Sequence, residues 1–253
     1  MKKAVLGLGV ALLLAIPSTA SASTSLDGWW PFYEGSGTTA HDVSGNRNTG
    51  TISNPQWAPG YFGSGLNFDG ATTGVDVQDS PSLEPRNAVS VTAWVKSKGP
   101  LGRFEYIIAK GASSCMAASY GLYTGSSGGL EFYVSQDDGF SFVDSPDAGT
   151  SVWDGNWHFV VGTYDGSTVR LYVDGNQVAT GSSESGPIGY NLTNGNDLFI
   201  GHYDGCTAHD FVGTIDEPTV WSTALTATQV SLAYKVMVGL HGWGSRLPSF
   251  PVG

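Results

Sequence analysis

The stretch Trp157 to Thr180, with the sequence WHFVVGTYDGSTVRLYVDGNQVAT, decides the fold class. It contains three short runs of β-branched and aromatic residues, which favour strands. The runs are Trp157 to Tyr164, Thr168 to Val173 and Gln177 to Thr180. Asp165-Gly166 and Asp174-Gly175 separate the runs, at places where two-residue hairpin turns need positive φ. The stretch therefore predicts a β-meander of three antiparallel strands.

Further strands are predicted on both sides of the meander. The chain has 36 glycines and only 13% charged residues, a composition typical of many short strands joined by tight turns. A single weak helical pattern covers Thr226 to Tyr234. The chain is therefore predicted to be all-β, a two-sheet antiparallel β-sandwich or jelly roll. The additional predicted strands are Gly65 to Phe68, Gly74 to Val77, Ala88 to Val95, Glu105 to Ala109, Leu130 to Val134, Asp197 to Ile200 and Ile215 to Val220.

The first residues have the pattern of a secretory signal peptide. Lys2 and Lys3 precede the apolar run Ala4 to Ile16, and Ala20-Ser21-Ala22 has the small-residue pattern of a cleavage site. A retained anchor is the alternative, but the run is short for a membrane span. We expect residues 1–22 to be removed, residues 23–237 to form one domain, residues 238–253 to form a tail, and the product to be secreted.

The charge of the chain limits its partners. The formal net charge is −11, and it becomes two units more negative without Lys2 and Lys3. Nucleic acids and anionic lipids attract clustered Lys and Arg, so neither is expected as a partner. Membrane insertion is not expected either, because no later segment is long and apolar enough. An acidic surface is compatible with neutral glycans and with bound divalent cations.

A set of motifs follows in a fixed order from Leu26 to about Val236. They include WWPF (29–32), DVSGNRN (42–48), GLNFDG (65–70), WHFV (157–160), LYVDG (171–175) and FVGTIDE (211–217). In this order they resemble the laminin-G-like jelly rolls of the concanavalin A-like lectin/glucanase superfamily. The resemblance implies the two-sheet sandwich. It leaves the function open, because this fold hosts lectins, adhesion modules, hydrolases and lyases.

The segment Asp42 to Asn48 gathers short oxygen-bearing side chains. Such side chains either bond their own backbone in Asx turns or bind a hard cation such as Ca²⁺. An EF-hand is excluded, because Arg47 and Ser53 stand where that loop needs glycine and glutamate. In the family that the chain resembles, calcium ligands come from this loop, from the FDG turn and from the IDE strand. The resemblance therefore implies a structural calcium ion bound by Asp42, Asn46, Asn48, Asp69, Gly70 and Asp216.

The loop Gly201 to Asp210, GHYDGCTAHD, combines aromatic rings with His and Asp side chains. Sugar sites combine such rings with a few fixed polar groups, although a solvated loop without a ligand is the alternative. The chain has an even number of cysteines, Cys115 and Cys206, and is expected to be exported, which favours a disulfide between them. That bridge would join this loop to the segment around Cys115. The predicted sugar-binding residues are Tyr120, Tyr123, Tyr133, His202, Tyr203, Asp204, His209 and Asp210.

Four other ring-bearing residues fit strand patterns better than a binding loop. They are Trp94, Trp157, His158 and Trp221, and they are expected in the core, with the imidazole bonded to backbone.

Enzymatic function is the main alternative to binding. The paired-carboxylate strand of the related hydrolases is missing from the sequence, since Glu131 stands alone. Asp216 and Glu217 are adjacent and are expected on opposite faces of a strand. A polysaccharide lyase remains open, with Tyr203 as base and His202 or His209 as partner, and so does a protein-adhesion module. The sequence favours a secreted, calcium-dependent carbohydrate-binding protein that recognises an extracellular polysaccharide or glycan and has no catalytic residues.

Overall fold

A computed structural model describes residues 26–111, 118–136, 142–183, 185–190, 196–203 and 209–244. These residues form two eight-stranded antiparallel sheets. Sheet A contains β1 (Leu26–Trp29), β4 (Trp57–Pro59), β5 (Ser64–Asp69), β7 (Val89–Lys96), β12 (His158–Tyr164), β13 (Thr168–Val173), β14 (Asn176–Ser183) and β16 (Val212–Trp221). Sheet B contains β2 (Thr39–Ala40), β3 (Gly50–Ser53), β6 (Gly74–Val77), β8 (Tyr106–Lys110), β9 (Tyr120–Thr124), β10 (Leu130–Ser135), β11 (Phe142–Asp144) and β15 (Leu198–Ile200). A short 3-10 turn, Pro81–Leu83, precedes β7.

The strand order in each sheet confirms the predicted jelly-roll sandwich. Sheet A has the order β14-β13-β12-β7-β16-β5-β4, with β1 also paired to β16, and sheet B has the order β11-β10-β9-β8-β15-β6-β3-β2. Half of the neighbouring strand pairs join strands that do not follow one another in the sequence, such as β7 with β16 and β8 with β15. Each sheet therefore depends on long-range pairing, as between Leu26 and Trp221 at the two ends of the domain.

The core lies between the sheets, and alternation along the strands builds it. In β7, Val91, Ala93 and Val95 point into the core, whereas Trp94 belongs to a separate cluster on the outer face of sheet A. Successive side chains of a strand point to opposite faces, so one strand contributes to both clusters. Full burial of each large apolar side chain contributes about 1.5–3 kcal/mol.

The helix α1 (Ala227–Gly244) covers the outer face of sheet A. Thr226 and Gln229 form its capping box: the Gln229 N–H donates to Thr226 Oγ1 at 3.3 Å, and the Thr226 N–H donates to Gln229 Oε1 at 2.9 Å. Val230, Ala233 and Met237, at helical spacing, pack on the tryptophans of the sheet. No helix among the described residues has the length and apolar character needed to cross a membrane.

The structure confirms the predicted meander and corrects it in one turn. Asp174 and Gly175, with φ of 51° and 78°, form the predicted two-residue hairpin. The other turn has three residues, because β12 ends at Tyr164 and β13 begins only at Thr168. All seven additional predicted strands are present, Gly74 to Val77 with the predicted ends and the other six with shifted ends, and β1 to β4, β9 and β11 were missed.

Other predictions fall at the ends of the described chain or outside it. The helix is longer than predicted, and the proposed boundary after residue 237 lies within it. The predicted signal peptide, residues 1–22, lies outside the described residues, as do Cys115, Cys206, Asp204 and residues 245–253.

Candidate functional site

A layer of rings, which we call the aromatic face, covers the outer side of sheet B. It consists of Phe104, Tyr106, Tyr123, Tyr133, Phe199 and Tyr203, together with the small residues Ala109 and Ala118. Strands β8, β9, β10 and β15 each supply one ring, and the segments before β8 and after β15 supply Phe104 and Tyr203. This face and the helix-covered face of sheet A lie on opposite sides of the sandwich.

Alternation and one glycine build the aromatic face. Tyr123 and Tyr133 point outward because their strand neighbours Leu122 and Phe132 point into the core. Gly121 is also at an outward position of β9. A Cβ atom there would lie 2.7 Å from Tyr133 Cε1 and 2.9 Å from Tyr106 Cε1. The missing side chain therefore lets these two rings approach each other across β9.

The rings stack in a continuous series. Tyr106 lies between Tyr203 (centroids 4.4 Å apart, planes at 17°) and Tyr123 (5.2 Å, 20°). Tyr133 meets Tyr123 edge to face at 5.0 Å. The hydroxyls of Tyr106 and Tyr133 are 3.0 Å apart, and the Tyr133 hydroxyl accepts the Ala118 N–H at 2.6 Å. The rings are held in fixed positions by these contacts.

Burial raises the pKa of several tyrosines of the aromatic face above the ordinary value for tyrosine. This applies to Tyr106, Tyr123 and Tyr133, and the nearby Glu131 raises the pKa of Tyr123 further. These phenols therefore stay protonated at neutral pH. In this state they can donate hydrogen bonds, but they are poor general bases.

One rim of the aromatic face is formed by Arg103, Phe104, His209 and Asp210. The Arg103 guanidinium lies 5.8 Å from the centroid of the half-buried Phe104 ring, and His209 meets that ring edge to face at 5.8 Å. Asp210 Oδ1 accepts the Tyr203 N–H at 3.2 Å. Burial, and secondarily Arg103, lower the pKa of His209 against an opposing effect of Asp210. The imidazole is therefore mostly neutral at pH 7, when it can both donate and accept a hydrogen bond.

A second rim is formed by His202 and Asp76. His202 Nε2 lies 3.1 Å from Asp76 Oδ1, and the His202 ring meets Phe199 edge to face at 5.1 Å. The ring rests on Gly74, where a Cβ would come within 2.5 Å of His202 Cδ2. His202 is therefore positioned by three neighbours and is still partly exposed.

Two carboxylates, on β10 and β11, lie at the side of the aromatic face opposite to His202 and Asp76. Glu131 Oε2 accepts the Tyr123 hydroxyl at 3.0 Å, and burial raises the pKa of Glu131. Asp144 is the register partner of Tyr133 and is exposed. The rings are thus bordered by polar groups on several sides.

The structure brings most of the predicted sugar-binding residues together. Tyr123, Tyr133, His202, Tyr203, His209 and Asp210 all belong to the aromatic face or its rims. Tyr120 does not: its ring is fully buried in the core between the sheets, and its hydroxyl donates to the Leu83 carbonyl at 3.0 Å. It lies in a strand three residues before Tyr123, so alternation turns it to the other face.

The sequence interpretation missed Phe104, Tyr106 and Phe199. Tyr106 and Phe199 were assigned to strands, but the face to which each points depends on the register. Phe104 follows no strand pattern. Tyr106 and Phe199 could have been found from strand alternation, because they point to the same outer side of sheet B as Tyr123 and Tyr133.

The four residues expected in the core divide into two groups. Trp94 and Trp221 are buried as expected. Trp157 and His158 are only partly buried. His158 also bonds side chains in place of backbone, with Nδ1 2.7 Å from Asp174 Oδ2 and Nε2 3.2 Å from Asp154 Oδ1.

The predicted calcium loop is organised by hydrogen bonds to Asp42. Its Oδ1 accepts the N–H groups of Trp29 (3.0 Å) and Ser44 (2.8 Å), and its Oδ2 accepts the Ser44 hydroxyl and the Asn48 N–H, both at 2.8 Å. The amides of Asn46 and Asn48 donate to the Asp27 carbonyl. This arrangement is the Asx turn that the sequence left open, and it attaches the loop to β1.

The other predicted calcium ligands belong to separate hydrogen-bonded turns. Asp69 accepts the N–H groups of Ala71, Thr72 and Thr73 in the turn that contains Gly70 (φ 74°), and these bonds, led by those of Thr72, lower its pKa. Asp216 is fully buried and accepts the Phe62 N–H at 2.8 Å. Among the described residues, no group of three or more His, Cys, Asp or Glu side chains is arranged to hold a metal ion. The six predicted ligands thus lie in three separate segments of the chain, and calcium binding stays a prediction.

Asp216 and Glu217 do not follow the simple strand alternation expected of them. A bulge interrupts β16 between Asp216 and Thr219, and Glu217 has a φ of 53°. Both carboxyls are buried. Glu217 accepts the indole N–H of Trp29 at 2.5 Å and the hydroxyl of Tyr33 at 2.8 Å. Burial raises the pKa of Glu217 to about 7, and burial, followed by repulsion from Glu217, raises that of Asp216 well above its usual range.

The two-sheet antiparallel sandwich is a jelly-roll fold. Residues 69–231 match the Laminin_G_3 family of the concanavalin A-like lectin/glucanases superfamily. The chain therefore belongs to this superfamily.

Two curated relatives are pappalysin-1 of mouse and of human. The identities are 28% over 158 residues and 27% over 175 residues, which cover 58% and 65% of this chain. The matched part is 10% of the length of either pappalysin, so the chain spans about a tenth of these relatives.

Several solved structures share the fold at low sequence identity. Domain 4 of AbnA, an extracellular arabinanase from Geobacillus stearothermophilus in complex with arabinotriose, has a TM-score of 0.64 and 21% identity, over 83% of this chain and 98% of that one. The binding domain of Paraclostridial Mosquitocidal Protein 1 has a TM-score of 0.66 and 14% identity, over 83% and 52%. A Trypanosoma rangeli sialidase has a TM-score of 0.64 and 15% identity, over 94% of this chain and 39% of the sialidase chain.

Proposed function

We propose that this protein is a carbohydrate-binding module that holds a glycan against the aromatic face of sheet B without cleaving it. The observation that carries the proposal is the series of stacked rings, Phe104 to Tyr203, which is buried except at the half-buried Phe104 and is bordered there by Arg103, His209 and Asp210. Ring faces bind the apolar faces of sugars, and a few fixed polar groups orient the hydroxyls.

The structural neighbours support the same class of ligand. Domain 4 of AbnA matches this chain over nearly its full length and was solved with arabinotriose, and the sialidase was solved with a sialic acid derivative. Each of these ligands was bound to the neighbouring protein. They make a glycan the first class of partner to test for this chain.

Binding is a better proposal than catalysis because of the state of the ionisable groups. The lyase alternative needs a tyrosine base that reaches the substrate, whereas its candidate, Tyr203, is buried and stacked on Tyr106. The carboxylate of Glu131, the first candidate for a hydrolase pair, is buried and accepts the Tyr123 hydroxyl.

The proposal includes export, on the basis of the leader-like pattern in residues 1–22. Expression in a secreting host and mass spectrometry of the medium test this part. A product in the medium that begins near Ser23 is expected. A product that stays in the cell with its first 22 residues intact would contradict it.

A glycan array tests the central part of the proposal. We expect the wild type to bind at least one neutral plant, algal or bacterial oligosaccharide. His209→Ala should weaken that binding by about tenfold, the loss of one good polar contact. The matched control is His41→Ala, because His41 is exposed and only its main-chain N–H bonds Glu34. A wild type that binds no glycan, or a His41→Ala loss as large as that of His209→Ala, would contradict the proposal.

A further inference from the structure

We propose that Phe104, over whose ring the exposed Arg103 guanidinium lies, is the residue on which the sugar ring stacks when Arg103 moves to the edge of that ring. The inference rests on the proposed glycan-binding function and assigns its main contact to two residues outside the predicted binding loop. The ligand class that fits is a neutral pyranose, with one apolar face and hydroxyls at its edge.

The first observation is the backbone of Phe104. Its φ is 63°, in the left-handed region that glycine adopts readily and bulky residues rarely do. The conformation is held by the Phe104 N–H, which donates to the Thr124 carbonyl at 2.8 Å. A phenylalanine is thus kept at a position where glycine would be the easier residue. Strain of this kind is concentrated at functional sites.

The second observation is how the ring is supported. Tyr123 lies nearly parallel to it, with centroids 6.3 Å apart and planes at 12°, and His209 meets it edge to face. Tyr123 is in turn stacked on Tyr106. Phe104 is therefore the outermost ring of the stacked series, since it is half-buried while Tyr106 and Tyr123 are buried.

The third observation is the set of polar groups around this ring. Arg103 is exposed, and no carboxylate of the described residues forms a salt bridge with it. The guanidinium and the mostly neutral His209 imidazole can both bind sugar hydroxyls at the edge of a ring stacked on Phe104.

The charges at this rim favour a neutral sugar. Arg103 lies over the Phe104 ring that His209 meets edge to face, and Asp210 follows His209 in the chain, so one positive and one negative charge flank the same imidazole. A sugar carboxylate would be attracted by Arg103 and repelled by Asp210. Hydroxyls can bond both groups.

The test compares three variants by calorimetric titration with a glycan identified on the array. Phe104→Ala should weaken binding roughly tenfold or more, as expected for loss of an aromatic anchor. Phe104→Tyr keeps the ring and should stay within about threefold of the wild type. Phe142→Ala is the matched control, because Phe142 is an exposed ring that touches Tyr133 at the other edge of the same face. It should bind like the wild type.

Phe104→Gly separates binding from folding. It lacks the ring, like Phe104→Ala, but glycine accepts the positive φ, so its melting temperature should exceed that of Phe104→Ala by a few degrees. Both should lose binding equally.

The possible outcomes distinguish this inference from the proposed function. Wild-type-like binding by Phe104→Gly, or an equal loss in Phe142→Ala, would overturn the role of Phe104 and leave glycan binding intact. A wild type that binds no glycan on the array overturns both.

Discussion

Tyr106 of β8 stacks on Tyr203, with ring centroids 4.4 Å apart and planes at 17°. The pair joins a central strand of sheet B to the segment that follows β15, and the backbone supports it, since the Tyr106 N–H donates to the His209 carbonyl at 2.9 Å. The aromatic face is therefore formed before any ligand arrives. A preformed site loses little conformational freedom on binding.

The close approach of rings over Gly121 gives a first prediction. Gly121→Ala should destabilise the protein by about 1–3 kcal/mol, because the new Cβ would lie within 3 Å of carbons in Tyr133 and Tyr106. Thermal unfolding and the near-UV circular dichroism of the tyrosines measure the effect. The control is Gly239→Ala in α1, where no atom lies within 4 Å of a new Cβ, and which should be neutral or stabilising. Equal melting temperatures for Gly121→Ala and the wild type would show that the rings are loosely packed.

The buried carboxyl of Glu217 gives a prediction about pH. Its pKa is about 7 in the folded protein against an ordinary value of 4.5. Between these values the folded state binds more protons than the unfolded state, so this group makes stability fall as the pH rises from about 4.5 to about 7. Glu217→Gln cannot titrate and can still bond Trp29 and Tyr33. It should therefore be more stable than the wild type at pH 7, with a smaller loss of stability between pH 4.5 and 7.

Denaturant unfolding of both proteins across this pH range checks the prediction. Glu217→Gln also removes the repulsion that raises the pKa of Asp216, so the difference between the two proteins reports on this coupled pair of carboxyls. Parallel stability curves for wild type and Glu217→Gln would show that Glu217 does not titrate in this range.

The hydrogen bonds of Asp42 give a prediction about metal removal and about mutation. Both of its carboxylate oxygens accept N–H or O–H groups of its own loop and of β1. If these hydrogen bonds alone hold the loop, a chelator should leave the melting temperature unchanged. Asp42→Ala should destabilise by about 1–3 kcal/mol, because the N–H groups of Trp29, Ser44 and Asn48 lose their acceptor.

The chelator experiment also decides between the two interpretations of the loop. A fall of several degrees in melting temperature on chelation, reversed by added Ca²⁺, would support the calcium site that the sequence implies. It would contradict the interpretation that hydrogen bonds alone hold the loop. The matched control is Asp42→Ala, whose melting temperature should not respond to Ca²⁺.

The fold could be predicted from the sequence because local patterns agree with it. The meander from Trp157 to Thr180 combines strand-forming runs with Asp-Gly turns, and each strand was placed within a few residues. β9 was missed because Tyr120 to Thr124 is short, contains a glycine and does not alternate in polarity. All five of its residues are buried, so both faces of the strand are covered.

The candidate site could be predicted only in part, for a similar reason. Aromatic and polar residue types marked the loop from His202 to Asp210, but whether Tyr120 or Tyr123 points outward depends on a strand that was not recognised. Phe104 depends on one residue with positive φ, which no periodic pattern reveals. The calcium loop depends on where backbone N–H groups of β1 lie relative to Asp42, a long-range relationship that residue types alone do not specify.

The location of the glycan is the most direct test of the central claim. Two-dimensional NMR of protein with ring-labelled tyrosine and histidine, titrated with an array-positive oligosaccharide, reports on both faces of the sandwich at once. We predict shifts for Tyr106, Tyr123, Tyr203 and His209 on sheet B, and unchanged signals for Tyr172 and Tyr234 on the helix-covered side. Shifts confined to Tyr172 and Tyr234 would contradict the assignment of glycan binding to the aromatic face.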